Sequence, residues 1–169
     1  MFRAQPDCLA ALVLAGNELM LSHKHGEALD KYLRAFRQDP DQPLTALCIA
    51  TTLAYMAVHP LTAHKQDVCG KALAFFTHYG RVRMLTGENS NAYQASLEQE
   101  VYYNIGCFFL DIRLNHFAVS FFQKAVEVFC ADEASLPLTR EAAFNLSLIY
   151  RQSGNDSMAC AVMKKYLSF

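Results

Sequence analysis

The chain has 169 residues, of which 53% are hydrophobic and 18% charged, and its formal net charge is -1. That apolar content can fill a sizeable core and excludes a disordered chain. The balanced charge excludes a nucleic-acid binder that works through a broad basic face, which needs a visible Lys/Arg excess.

Three segments repeat one pattern of large and small residues, each as helix, turn and helix, and an irregular fourth lies second in chain order. The first covers about 9–42. Leu12 takes a large slot, Ala15 and Gly16 follow, then Leu19; Ala28, Tyr32 and Ala35 lie on the second helix, and Pro40 closes the unit. Gly26 is expected at the turn between the two helices. The second segment, about 43–86, is irregular. Its first helix runs from about Leu44 to Val58 with Ile49, Ala50 and Leu53 in register, and Pro60 blocks continuation. Its second helix, about Leu61 to Leu85, is long and carries Ala72, Phe76 and Tyr79. A polar loop follows, about 86–93, with little to bury.

The third segment, about 98–131, has Tyr102, Ile105, Gly106, Phe109, Ala118, Phe122 and Ala125 in register, with Cys130 where a closing Pro is expected. A short insertion, about Ala131 to Pro137, precedes the fourth segment, about 139–169. There Ala143, Leu146, Ser147 and Tyr150 are followed by Ala159, Met163 and Tyr166, with Gly154 and Asn155 at the turn.

This arrangement resembles the tetratricopeptide repeat (TPR), a unit of about 34 residues with the pattern W-x2-L-G-x2-Y, A-x3-F and P. The predicted fold is therefore all-α: a right-handed superhelical TPR solenoid of about four helix pairs, with residues 1–169 forming one array. The small slots let two helices cross closely, so Gly16, Gly106 and Ser147 are expected to face Ala28, Ala118 and Ala159. Tyr32, Phe76, Phe122 and Met163 are expected to fill the gap to the neighbouring helix. No single repeat buries its own apolar face; stacking does. Array ends without polar caps, at Leu9, Leu12 and Val13 and at Val162 to Phe169, predict a piece of a longer array with a tendency to homodimerise through those ends.

No catalytic constellation is present. Six cysteines form no CxxC pair and read as free thiols of a reducing compartment. Six histidines show no HExxH or zinc spacing, and neither GxSxG nor a phosphate loop occurs. A non-enzyme is expected, with no cofactor, no metal and no small-molecule substrate. The opening residues are broken by polar side chains, so no signal peptide is expected. No apolar run reaches the ~20 residues that span a bilayer, so no membrane partner is expected. The spots Arg81 with Arg83 and Lys164 with Lys165 read as solvated helix faces, which gives direct DNA contact little support.

The informative surface is the groove lined by the first helix of each repeat. It carries Val13, Asn17 and Met20 in the first; Glu100, Tyr103, Asn104, Cys107 and Asp111 in the third; and Glu141, Phe144, Asn145, Leu148 and Arg151 in the fourth. An amide at the slot of Asn104 and Asn145 can fix the register of an extended peptide, or it can serve a hydrogen bond within the array. Cations that would clamp a terminal carboxylate are replaced by Val13, Tyr103 and Phe144. An apolar or basic partner segment suits the groove better.

The fourth repeat carries a sharper likeness. Glu141-Ala142-Ala143-Phe144-Asn145-Leu146-Ser147-Leu148-Ile149-Tyr150-Arg151-Gln152-Ser153-Gly154-Asn155, with Met158-Ala159, resembles the carboxyl end of the TPR subunit of TFIIIC, the general transcription factor of RNA polymerase III. Ala35-Phe36-Arg37, Pro40-Asp41, Pro43-Leu44 and Phe122-Gln123-Lys124-Ala125-Val126-Glu127 support it. The resemblance implies a nuclear, non-catalytic scaffold: the carboxyl-terminal array of that subunit, ending near Phe169 and acting in complex assembly and transcription initiation. The implied partners are other TFIIIC subunits and, second, TFIIIB components. The competing expectation is a stand-alone TPR adaptor that binds extended peptide segments without a carboxylate clamp.

Overall fold

The computed structural model describes residues 8–60, 62–85, 91–128 and 136–167, with the backbone alone at 91 and 92. The described residues form eight helices: α1 (Leu9–Leu21), α2 (His25–Gln38), α3 (Pro43–Val58), α4 (Lys65–Leu85), α5 (Asn91–Asp111), α6 (Asn115–Glu127), α7 (Thr139–Gln152) and α8 (Asp156–Tyr166). They divide into two units, Met1–Val82 and Arg83–Phe169.

In the first unit α1 packs on α2, and α2 on α3. Leu12, Val13 and Gly16 form the buried stripe of α1, and Ala28, Tyr32 and Ala35 that of α2; both follow the three-to-four spacing of a helix face. Pro43 opens α3, where its missing N–H costs nothing, and the Gln42 side chain accepts from Leu44 N–H at 3.3 Å. Small residues fill the buried side of α3, including Ala46, Ala50, Ala54 and Ala57.

In the second unit α5 packs on α6, α6 on α7 and α7 on α8. Ala118, Phe122 and Ala125 are fully buried on α6, as are Ala142 and Ala143 on α7. Asn155 caps α8 by accepting from Met158 N–H at 3.2 Å.

Gly16 and Gly106 are buried, Ala28 and Ala118 have no exposed surface, and Ser147 and Ala159 have almost none. The glycines, however, make room for rings and not for the alanines. A Cβ on Gly106 would lie 2.8 Å from Phe122 Cε1, and one on Gly16 would overlap the Tyr32 ring. Tyr32 and Phe122 thus fill the crossing inside their own helix pair. Met163, expected to act likewise, is 41% exposed.

Three helix pairs turn in the same way. Lys24, Leu114 and Asn155 donate their N–H to the carbonyls of Leu19, Phe109 and Tyr150 at 2.9, 2.9 and 2.8 Å. His23, Arg113 and Gly154 donate to Met20, Leu110 and Arg151, each at 3.0 Å. This is the Schellman pattern, which places the residue after the cap in the left-handed region. The φ values there are 57° for His23, 65° for Arg113 and 78° for Gly154. The turn expected at Gly26 therefore sits at His23, and Gly26 lies inside α2. L-residues pay for this backbone and glycine does not. Arg113→Gly is accordingly expected to raise unfolding free energy by about 0.5–1 kcal/mol, measured by urea denaturation.

Other boundaries also differ from the sequence reading. α4 starts at Lys65, not near Leu61, because His64 adopts φ 53° immediately before it. α5 starts at Asn91, ahead of the expected 98, and takes in the end of the expected polar loop. The rest of that loop, 86–90, and most of the insertion, 131–135, lie outside the described residues.

Candidate partner-binding surface

The groove residues of the second unit come from α5 and α7. Residues three and four apart share a helix face, which aligns Glu100, Tyr103, Asn104, Cys107 and Asp111 along α5 and Glu141, Phe144, Asn145 and Leu148 along α7. The two rows come near each other at Tyr103, whose hydroxyl is influenced by Cys107 on its own helix and by Asn145 on α7. Burial, then the neighbouring Cys107, raises the Tyr103 hydroxyl above its ordinary value. Glu141 lies close enough to Tyr103 to add to this, and Asp111 close enough to raise the Cys107 thiol, which burial raises more. Glu141 and Asp111 thus each act on one member of the neighbouring Tyr103 and Cys107.

Glu100 is committed elsewhere. Its Oε2 lies 3.5 Å from Arg83 Nη2 in a half-buried pair. Asp111 stays accessible to solvent, yet partial desolvation raises its carboxyl above the ordinary range. Among the described residues no ion pair is formed by Asp111 or Glu141. Phe144 is 53% and Leu148 37% exposed, side by side on α7. Asn104 is half-buried.

In the first unit Asn17 is occupied: its Oδ1 accepts from the Tyr32 hydroxyl at 2.7 Å. Asn17 thus serves a hydrogen bond inside the array. Burial first, then Cys48, pushes the Tyr32 hydroxyl up from 10.0 to about 12. A raised acid is one whose neutral form the fold prefers. Its contribution to stability is complete below the unfolded value near 10 and is lost as pH rises towards 12. Alkaline melts are expected to show a loss of stability over that window that Tyr32→Phe lacks, along with a loss of about 1 kcal/mol at neutral pH from the bond to Asn17.

The first unit also holds a cleft at Asn17 and Met20, two residues of the expected groove face, joined by others that the sequence did not single out for it. It measures about 660 Å³ and is lined by Asn17, Met20, Leu21, His23, His25 and Tyr55. The His25 and Tyr55 rings stack at 6.0 Å, nearly parallel, and His25 Nδ1 lies 3.4 Å from Met20 Sδ. Tyr55 sits on a different helix pair, which is why no local pattern announces it.

Among the described residues no group of three His, Cys, Asp or Glu side chains is placed to hold a metal, and no helix is long and apolar enough to cross a membrane.

The chain is 32% identical over 168 residues to General transcription factor 3C polypeptide 3 of Homo sapiens, covering 96% of this chain and 18% of that protein. It is 27% identical over 170 residues to Transcription factor tau subunit sfc4 of Schizosaccharomyces pombe, covering 94% and 16%. It is 30% identical over 139 residues to the Transcription factor tau 131 kDa subunit of Saccharomyces cerevisiae, covering 82% and 13%. The chain thus spans less than a fifth of the length of each of these curated relatives. No protein-family model matches it. Among solved structures it is similar to MamA, a TPR protein, with a TM-score of 0.64 at 14% identity, covering 98% of this chain and 80% of that one. The fold is of the TPR type, and the likeness to the TFIIIC and tau subunits extends over most of the chain.

Proposed function

We propose that this chain is a TPR segment of a TFIIIC (tau) subunit and that it acts as a non-catalytic scaffold in the nucleus, holding other TFIIIC subunits during assembly of the complex and transcription initiation by RNA polymerase III. The observation that carries this reading is identity of 32% across 168 residues to a TFIIIC polypeptide, in a fold whose repeats leave helix faces open. The working surface is the face of α5 and α7, where Phe144 and Leu148 stand exposed. Exposed aromatic and aliphatic anchors of this kind dominate protein interfaces. TFIIIB components come second among the partners.

The test is affinity purification of the tagged full-length protein from nuclear extract, with quantitative mass spectrometry. Stoichiometric recovery of the other TFIIIC subunits is expected, and Phe144→Ala with Leu148→Ala is expected to lower it. Recovery of the protein without those subunits overturns the proposal and favours a stand-alone adaptor.

A further inference from the structure

The cleft of the first unit is lined from α1, from α3 and from the turn after α1. The two helices carry one charged residue between them, Glu18, which does not line the cleft. Lys24, in the turn, pairs with Glu27 at 3.7 Å and does not line it either. A helix that is apolar all round is ordinarily covered on every side. Yet Leu14 and Leu21 of α1 and Leu44, Tyr55 and Val58 of α3 all stand exposed.

Two parts of the cleft are arranged in advance. Met20 Sδ lies 3.4 Å from His25 Nδ1 and 3.3 Å from Thr52 Oγ1, and the His25 ring stacks nearly parallel to that of Tyr55. Tyr55 is still 60% exposed, so its ring keeps open surface beyond the stack. A thioether beside ring faces favours a further aromatic group. The other part is Asn17. Its Oδ1 is taken by the Tyr32 hydroxyl at 2.7 Å, while its Nδ2 has no acceptor among the described residues. That bond fixes the amide, so the free end can only donate.

The volume of about 660 Å³ falls within the range of sites that enclose a small organic group, about 300–1,000 Å³. No Lys, Arg, Asp or Glu lines the cleft, so a charged lysine or arginine entering it would lose hydration with no carboxylate to offset the loss. A neutral ring loses nothing of the kind. We infer that this cleft binds an aromatic side chain from an uncharged, extended segment of a partner protein: the ring packs on Met20 and the His25–Tyr55 stack, and a backbone carbonyl of the same segment accepts from Asn17 Nδ2. A helix would bring no free carbonyl except from its last turn, which is why the segment is extended. The cleft lies wholly in the first unit, and the site stands apart from the α5 and α7 face of the second.

The probes are N-acetyl-phenylalanine amide, N-acetyl-leucine amide and N-acetyl-lysine amide, each a piece of extended chain with its carbonyls free. They are titrated into the full chain at millimolar concentration, the affinity expected of ligands this small, and followed by proton–nitrogen NMR. The phenylalanine amide is expected to shift the Asn17 side-chain amide and the backbone signals of Leu21, His25 and Tyr55, and to bind about fivefold tighter than the leucine amide. The lysine amide is expected to leave those signals in place. Tyr55→Ala is expected to lower the phenylalanine affinity about fivefold, and Tyr55→Phe, which keeps the ring, to restore it. Asn17→Asp keeps an acceptor for Tyr32 and removes the donor; it is expected to weaken binding about fivefold, with melting curves confirming that each variant folds. Equal responses to the three amides, shifts confined to residues outside the cleft, no response to any of them, or an affinity unchanged in Tyr55→Ala or in Asn17→Asp overturns the inference. Recovery of TFIIIC subunits with the full-length protein tests the proposed function separately and does not depend on this outcome.

Discussion

Phe122→Ala is expected to lower the unfolding free energy by about 3–5 kcal/mol, the range for emptying a fully buried aromatic site. The ring has no exposed surface, and its centroid lies 5.9 Å from that of Tyr103. Its edge occupies the place where a Cβ on residue 106 would sit, 2.8 to 3.2 Å from three ring carbons. The missing Cβ and the ring are therefore one feature, and a second substitution exposes it. In the native background Gly106→Ala costs about 1–3 kcal/mol by overpacking, offset in part by the ~1 kcal/mol helical preference of Ala over Gly. In the Phe122→Ala background the clash is gone, and the same change is expected to stabilise by up to about 1 kcal/mol. A urea-denaturation double-mutant cycle reads the coupling; strictly additive effects would show that the glycine and the ring are independent.

Gln99→Leu is expected to cost about 2–4 kcal/mol, a large effect for a residue bearing no charge. Gln99 is fully buried on α5. Its Nε2 donates to the Ala125 carbonyl at 3.1 Å and to Thr139 Oγ1 at 2.8 Å, while its Oε1 accepts from Leu138 N–H at 3.0 Å. Ala125 lies in the last turn of α6, where carbonyls lack helical partners, and Leu138 and Thr139 begin α7. Leucine fills the volume but strands a buried donor and acceptors, at about 1–3 kcal/mol for each group left unpaired. Hydrogen exchange provides a local readout: the Leu138 amide is expected to exchange faster in Gln99→Leu, with distant helices of the unit unchanged below the global limit. A loss below about 0.5 kcal/mol with unchanged exchange would mean that other groups or water replace the side chain.

The sequence exposed what depends on residue size at a fixed interval. Gly16, Ala28, Gly106, Ala118, Ser147 and Ala159 are buried as their small slots require. It did not expose which side chain each glycine meets, because the crossing of two helices decides whether the alanine or the ring lies opposite. The recurring separation from Gly16 to Tyr32 and from Gly106 to Phe122 was the available signal. Gly154 announced its turn, whereas His23 and Arg113 adopt the same backbone without a glycine, so the nearby Gly26 drew the turn to the wrong place. Gln99 stands between Glu98 and Glu100, a local setting that does not mark it as buried. Its burial follows from partners far along the chain. For the expected groove, the sequence did not expose the neutralisation of Glu100 by Arg83, whose partner lies on another helix.

The position of Gln99 also bears on how this region can diverge. One side chain grips both flanks of the segment that joins α6 to α7, so the register of the fourth repeat is set from α5 and not by the length of the joining segment. Gln99 and Thr139 are therefore expected to be energetically coupled, so that a change at one alters the cost of a change at the other.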